Sequence, residues 1–74
     1  MSRLIRMDAT GHSTLAEWSA GDTAAVDAAV EAFRHELSEG YIGVVSEGAG
    51  RATQVTELPP DADLVILRKP IAGG

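Results

Sequence analysis

Alternating apolar and polar residues at the start of the chain predict two short strands, over residues 3–7 and 14–18. The polar segment 8–13 between them contains Thr10-Gly11, which predicts a turn. Together these elements predict a β-hairpin. Trp18 is the only tryptophan, and in so small a domain we expect it in the core or at its boundary.

A helical period follows the hairpin. Its apolar positions are Val26, Ala29, Val30, Phe33 and Leu37. Asp22 or Thr23 is expected to cap the helix N-terminus, and Gly40 to follow its C-cap. The acidic side chains of this segment are expected to form a solvated face: Asp27, Glu31, Glu36 and Glu39.

The second half of the chain predicts a further hairpin and a last strand. Residues 41–45 and 51–58 are rich in β-formers, and the segment 46–50 between them holds two glycines. Two prolines then break the chain before residues 64–67, a strand that is apolar on both faces, as is typical of a central strand.

One helix with an apolar stripe covers one face of a mixed sheet, so the pattern predicts a two-layer α+β domain in the order ββαββ(β). The domain is expected to span residues 1–69. Pro70 fixes its own φ and biases Lys69 toward extended geometry, so residues 70–74 are expected to leave the sheet as an extended, flexible tail.

Composition narrows the function classes. A chain of 74 residues has little room for both a core and an enzyme cleft, so we expect no enzyme. There is no cysteine, and His12 and His35 share no ligand spacing, so no metal site is predicted. A net charge of -5 argues against nucleic acid. The longest aliphatic run is too short for a membrane span, and residues 1–7 lack a secretion signal, so we expect a cytoplasmic protein with protein partners.

The order of elements and the final Gly73-Gly74 resemble the ubiquitin-like β-grasp superfamily over nearly the whole chain. In the first half, Thr10-Gly11, Thr14-Leu15 and Asp22-Thr23 are similar to the ubiquitin-type modifiers. The second half is more similar to the bacterial sulfur carriers of thiamin and molybdopterin biosynthesis, which also have an acidic turn before a strand and an apolar-Ala-Gly-Gly end. At an average glycine usage of about 7%, two terminal glycines arise by chance in roughly one sequence in 200.

The resemblance implies that an E1-like adenylating enzyme uses ATP and magnesium to activate the carboxylate of Gly74, with no cofactor bound to this chain. Because Gly73 has no Cβ, it keeps the chain before Gly74 narrow enough to enter a tight channel of that enzyme. The positions that the enzyme would grip or dock against are Pro70, Ile71, Ala72, Arg68 and Lys69.

Counting back from Gly74 along the resemblance places Val65 and Leu67 toward the helix. Leu64 and Ile66 then point outward and, together with Ile42 or Val44, form a candidate docking patch.

Three functions remain open. The first is a bacterial-type modifier conjugated to a target protein, for which the family also uses E2-like enzymes and Gly-Gly-specific proteases. The second is a sulfur carrier whose adenylate becomes a thiocarboxylate. The third is a non-catalytic β-grasp interaction module with an inert tail. The modifier is favoured because the hairpin and the helix start are more similar to ubiquitin and because the helix is long for a minimal carrier.

Overall fold

The computed structural model describes residues 1–8, 10–46 and 50–69. Within them the chain forms one helix and five strands, namely β1 (Ser2–Asp8), β2 (Gly11–Trp18), α1 (Thr23–Ser38), β3 (Ile42–Ser46), β4 (Ala52–Val55) and β5 (Leu64–Arg68). The predicted α+β class, with one helix packed on a mixed sheet, is confirmed.

The sheet has the strand order β2-β1-β5-β3-β4. β5 lies at its centre, parallel to β1 and antiparallel to β3. The two hairpins, β1 with β2 and β3 with β4, flank this central strand. As a result, the last strand of the chain is held on both sides and leads directly into residues 69–74.

The first hairpin has a tighter turn than the sequence predicts. Pairing continues to Asp8 and Gly11, so much of the predicted turn over residues 8–13 belongs to the strands. The Asp8 carboxylate accepts hydrogen bonds from the backbone N–H of Thr10 at 2.9 Å and from its hydroxyl at 2.7 Å. Gly11 follows with φ of +133°, which favours glycine. Because residues 11–13 are all polar or glycine, no apolar alternation revealed that they are strand.

The turn makes a testable prediction about acidity. The hydroxyl of Thr10, and secondly its N–H, hold the pKa of Asp8 below its ordinary value. Because the pKa of Asp8 is lower in the folded protein than in the unfolded chain, the ionised carboxylate stabilises the fold. This stabilisation is fully present above the pKa of the unfolded state and is lost as the pH falls through the pKa of the folded state. We expect Thr10→Val to raise the pKa of Asp8, measured by NMR titration of its carboxyl carbon. Ser13→Ala, in the exposed part of β2, is the control, and an unchanged midpoint in Thr10→Val would contradict this account.

The ends of α1 lie where the sequence places them. Asp22 is the N-cap, and its carboxylate accepts a hydrogen bond from the Ala25 N–H at 3.1 Å. Glu39 is the C-cap, and Gly40 follows with φ of +99°. The structure confirms both predictions. Caps can be predicted from the sequence because they depend on neighbouring residues alone.

The core lies between α1 and one face of the sheet. Its buried apolar residues are Leu4, Trp18, Ala29, Phe33, Val45, Leu58, Val65 and Leu67. Trp18 is fully in the core, and its indole N–H donates to the carbonyl of Pro60 at 2.9 Å, which ties the end of β2 to the segment before β5. The predicted strand over residues 51–58 is too long, since β4 ends at Val55 and Leu58 turns into the core.

The prediction that Glu36 belongs to a solvated acidic face is wrong. Its residue surface is only 6% exposed, whereas Asp27, Glu31 and Glu39 are exposed as expected. Arg6 from β1 reaches Glu36 and donates to its carboxylate at 2.8 Å. That hydrogen bond, together with the charge of Glu36, raises the pKa of Arg6 above its ordinary value. A partner 30 residues away in sequence thus makes the burial of this carboxylate possible.

Candidate docking face and root of the tail

The side chains of β5 alternate between the two faces of the sheet. Val65 and Leu67 are completely buried against the helix side, as the sequence analysis predicts. Leu64, Ile66 and Arg68 therefore point to the opposite side, which we call the outer face. The central strand thus contributes both to the core and to a second surface.

Apolar side chains cross the outer face from strand to strand. Ile66 is paired with Ile5 of β1 on one side and with Val44 of β3 on the other. Ile42 lies opposite Arg68 in the same register, so the four residues of the predicted docking patch share this face. All of these aliphatic side chains are half-buried.

The sequence analysis missed three residues of this region. Ile5 and Met7 alternate on β1 with the inward-facing Leu4, and Met7 is 47% exposed. Tyr41 stands just before β3 and lines the same groove as Val44 and Ile66. The parallel pairing of β1 with β5 brings Ile5 to the patch, and alternation within a single strand does not reveal which strands are neighbours.

A shallow groove on this face is rich in positive charge. Its lining includes Arg51, Arg68 and Lys69, against Asp8 as the one carboxylate among the described lining residues. The whole chain, in contrast, carries a net charge of -5. The outer face therefore combines an apolar centre with a basic margin and suits a partner surface that carries carboxylates around apolar groups.

The end of β5 is tied to the helix side by Tyr41. The ammonium nitrogen of Lys69 lies 5.5 Å from the centre of the Tyr41 ring, and the guanidinium carbon of Arg6 lies 5.8 Å from it. Both distances fall within the range of cation–π contacts. Arg68 and Lys69, predicted to help a partner dock, are both exposed at this end of the groove.

The remaining predicted site residues lie outside the described part of the chain. These are Pro70, Ile71, Ala72, Gly73 and Gly74. The tail predictions therefore stay predictions, and the geometry reaches as far as Lys69.

The described residues offer few other sites. His12 and His35 are both exposed, as expected of surface residues. Within residues 1–8, 10–46 and 50–69, no three or more His, Cys, Asp or Glu side chains come together as a possible metal site. α1 lacks the length and the apolar composition that crossing a bilayer requires, and the same range holds no other helix.

The chain was compared with known proteins in three ways. It matches no protein-family model, no curated protein and no solved structure. Its function has therefore to be argued from its own residues.

Proposed function

We propose that this chain is a ubiquitin-like β-grasp domain that presents the carboxylate of Gly74 for ATP-dependent adenylation and transfer to a target. The observation that carries the proposal is the position of β5. This strand is central in the order β2-β1-β5-β3-β4, and the residues after it end in Gly73-Gly74. A rigid central strand is a suitable base from which to present a reactive end to an enzyme.

The chemistry follows from the state of a carboxylate in water. An α-carboxylate is ionised at neutral pH and is a poor acyl donor. In the proposed first step, an oxygen of the Gly74 carboxylate attacks the α-phosphorus of ATP and pyrophosphate leaves. The product is a mixed anhydride with AMP, whose carbonyl carbon is then open to a nucleophile.

The acceptor in the second step distinguishes the leading proposal from its alternative. In a modifier, a target amine attacks the carbonyl carbon, AMP leaves and the nitrogen loses a proton, which gives an amide. In a sulfur carrier, hydrosulfide attacks the carbonyl carbon, AMP leaves and the sulfur loses its proton, which gives a C-terminal thiocarboxylate. The acidic turn at Asp61 and Asp63 before β5 favours the sulfur carrier. The similarity of the first half of the chain to ubiquitin-type modifiers favours the modifier.

The outer face is the proposed docking surface for the adenylating enzyme. Its basic margin includes Lys69, the last described residue before the predicted tail, so an enzyme bound there contacts the domain where that tail begins. Its complementary surface is expected to carry carboxylates. An activating step that consumes ATP is compatible with the cytoplasm, where we propose that this activity takes place.

A charge placed on the outer face tests the docking role. We expect Ile66→Asp to lower kcat/KM for adenylation at least about tenfold, because it puts a buried carboxylate at the centre of the contact. Met7→Glu, at a more exposed site of the same face, should act in the same direction while sparing the fold. Ala28→Asp on the exposed side of α1 adds the same charge elsewhere and should change little. Equal kcat/KM in Met7→Glu and Ala28→Asp would contradict the docking role.

The adenylation itself is tested by ATP–pyrophosphate exchange with the adenylating enzyme of the host. The proposal predicts exchange that requires this chain and an acyl adenylate at Gly74 by mass spectrometry. Exchange that is unaffected by omitting the chain would contradict it and favour an inert module.

A further inference from the structure

Tyr41 occupies the point where the helix side of the domain meets the start of the tail. It lies between the end of α1 and the start of β3, and its N–H donates to the Glu36 carbonyl at 3.1 Å. Its half-buried ring has two cations within cation–π range, Arg6 at 5.8 Å and Lys69 at 5.5 Å. Tyr41 therefore contacts α1 through its backbone, and β1 and the residue that follows β5 through its ring.

The Arg6 side of this arrangement is fixed. Arg6 donates to Glu36 at 2.8 Å, and the Glu36 side chain is only 8% exposed. The Arg6 Nε is enclosed and has no hydrogen-bond partner among the described residues, so its position depends on packing and on this ion pair. The Tyr41 ring is thus held by its backbone and by an anchored guanidinium.

Lys69 is constrained from two directions. Its ammonium nitrogen lies 5.5 Å from the centre of the Tyr41 ring, and its stem runs beside Gly40, where an added Cβ would stand in ordinary van der Waals contact at 3.5 Å from the Lys69 Cε. Its backbone is biased to extended geometry because Pro70 follows. The ring contact and the backbone bias therefore both act on the last described residue before the predicted tail.

We infer that Tyr41 is a positioning residue, which holds Lys69 and thereby aims the following tail for activation. This inference rests on the proposed function and deepens it, since it concerns the delivery of the Gly74 carboxylate. Restricting the residue that precedes a tail reduces the range of directions that the tail can take, and pre-orientation of a reacting group raises the rate of its reaction. Tyr41 itself touches no reacting atom.

The contact between Tyr41 and Lys69 is tested without any enzyme. Lys69 is the only lysine, so reductive methylation with ¹³C-formaldehyde gives a single dimethyl-lysine signal, and the methylated amine keeps its positive charge. We expect this signal to be shifted upfield by the ring current relative to the unfolded chain. Tyr41→Leu should abolish the shift, and Tyr41→Phe should retain it. The same chemical shift in the folded wild type and in Tyr41→Leu would overturn the contact.

The positioning role is tested by kinetics of adenylation with the same enzyme. Tyr41→Leu, checked for folding by its amide NMR spectrum, should lower kcat/KM roughly two- to fivefold, the loss expected from an exposed cation–π contact, and Tyr41→Phe should retain the wild-type value. Lys69→Met removes the other partner, and the double variant Tyr41→Leu/Lys69→Met should be no worse than the more impaired single variant.

Additive losses in the double variant, or full activity of Tyr41→Leu, would overturn the inference. Absence of adenylation in the wild type itself would instead refute the proposed function, and with it the role assigned to Tyr41. The dimethyl-lysine shift would then still report whether the contact exists, so the two failures are distinguishable.

Discussion

A chain that lacks Gly74 is expected to fold normally and to form no detectable acyl adenylate. Removing one residue shortens the maximum reach of a chain by roughly 3.5 Å, and displacing a reacting group by even 1 Å can cost about a hundredfold in rate. We therefore expect adenylation to fall at least about a hundredfold, beyond the range of most single substitutions on the domain surface. The measurement is ATP–pyrophosphate exchange at saturating ATP.

The matched control is Gly74→Ala, which keeps the length of the tail and its terminal carboxylate but adds a Cβ. It should retain part of the activity, because it narrows the approach to the carbonyl without moving it out of reach. The amide NMR spectra of both variants should match the wild type for residues of α1 and the sheet. Wild-type exchange rates for the chain without Gly74 would contradict the proposed role of the tail.

Replacing Gly43 by alanine is expected to destabilise the domain by about 1–3 kcal/mol, the usual range for inserting a methyl group into a well-packed core. Gly43 lies in β3 opposite Leu67 and Val55. A Cβ built there would lie 2.5 Å and 2.6 Å from two ring atoms of Phe33 and 3.3 Å from the Val55 carbonyl oxygen. Phe33 is completely buried, so its ring cannot move aside into solvent.

The expected loss of stability is informative because alanine normally suits a strand better than glycine does. Glycine loses more conformational entropy on folding, and a compatible Gly→Ala change stabilises a protein by about 0.4–1 kcal/mol. Urea unfolding of Gly43→Ala, Phe33→Leu and the double variant tests the contact. The double variant should lose less than the sum of the two single losses, because the smaller leucine makes room for the methyl group. A stabilised Gly43→Ala would show that the contact is absent.

Features that depend on neighbouring residues were predictable from the sequence. The helix is marked by its apolar period, by the Asp22 cap and by Gly40, and each of these acts within a turn of the chain. Alternation in residues 64–67 predicts only that Val65 shares a face with Leu67 and Leu64 with Ile66; the resemblance was needed to choose which pair is buried, and that choice is confirmed.

Features that depend on distant residues were not predictable in this way. Glu36 is polar and lies on a helix, and its burial is offset by an ion pair with Arg6 of β1, a residue far away in sequence. Ile5 belongs to the outer face because β1 lies beside β5, a pairing of the two ends of the chain. Gly43 lacks a side chain because the ring of Phe33 fills the space, and no local pattern shows this.

The same distinction between local and distant features applies to the residues of the candidate site. The patch of Leu64 and Ile66, with Ile42 or Val44, was predicted from strand alternation together with the resemblance, and the structure places all four on one face. The contact of Lys69 with Tyr41 joins two segments that are far apart in sequence, so the sequence gives no sign of it. Gly73 and Gly74 are outside the described residues, and their role depends on chemistry that only an experiment can test.

The most direct test of the central claim is mass spectrometry of this protein and its adducts after tryptic digestion, using material from its own host. Trypsin cuts after Arg68 and not between Lys69 and Pro70, so the informative peptide is residues 69–74. The account predicts this peptide attached through Gly74 to amines of other proteins; if the chain is instead a sulfur carrier, sulfur replaces one oxygen of the terminal carboxylate. A peptide that ends in an unaltered Gly74 carboxylate in every fraction, or that continues beyond Gly74, would contradict it.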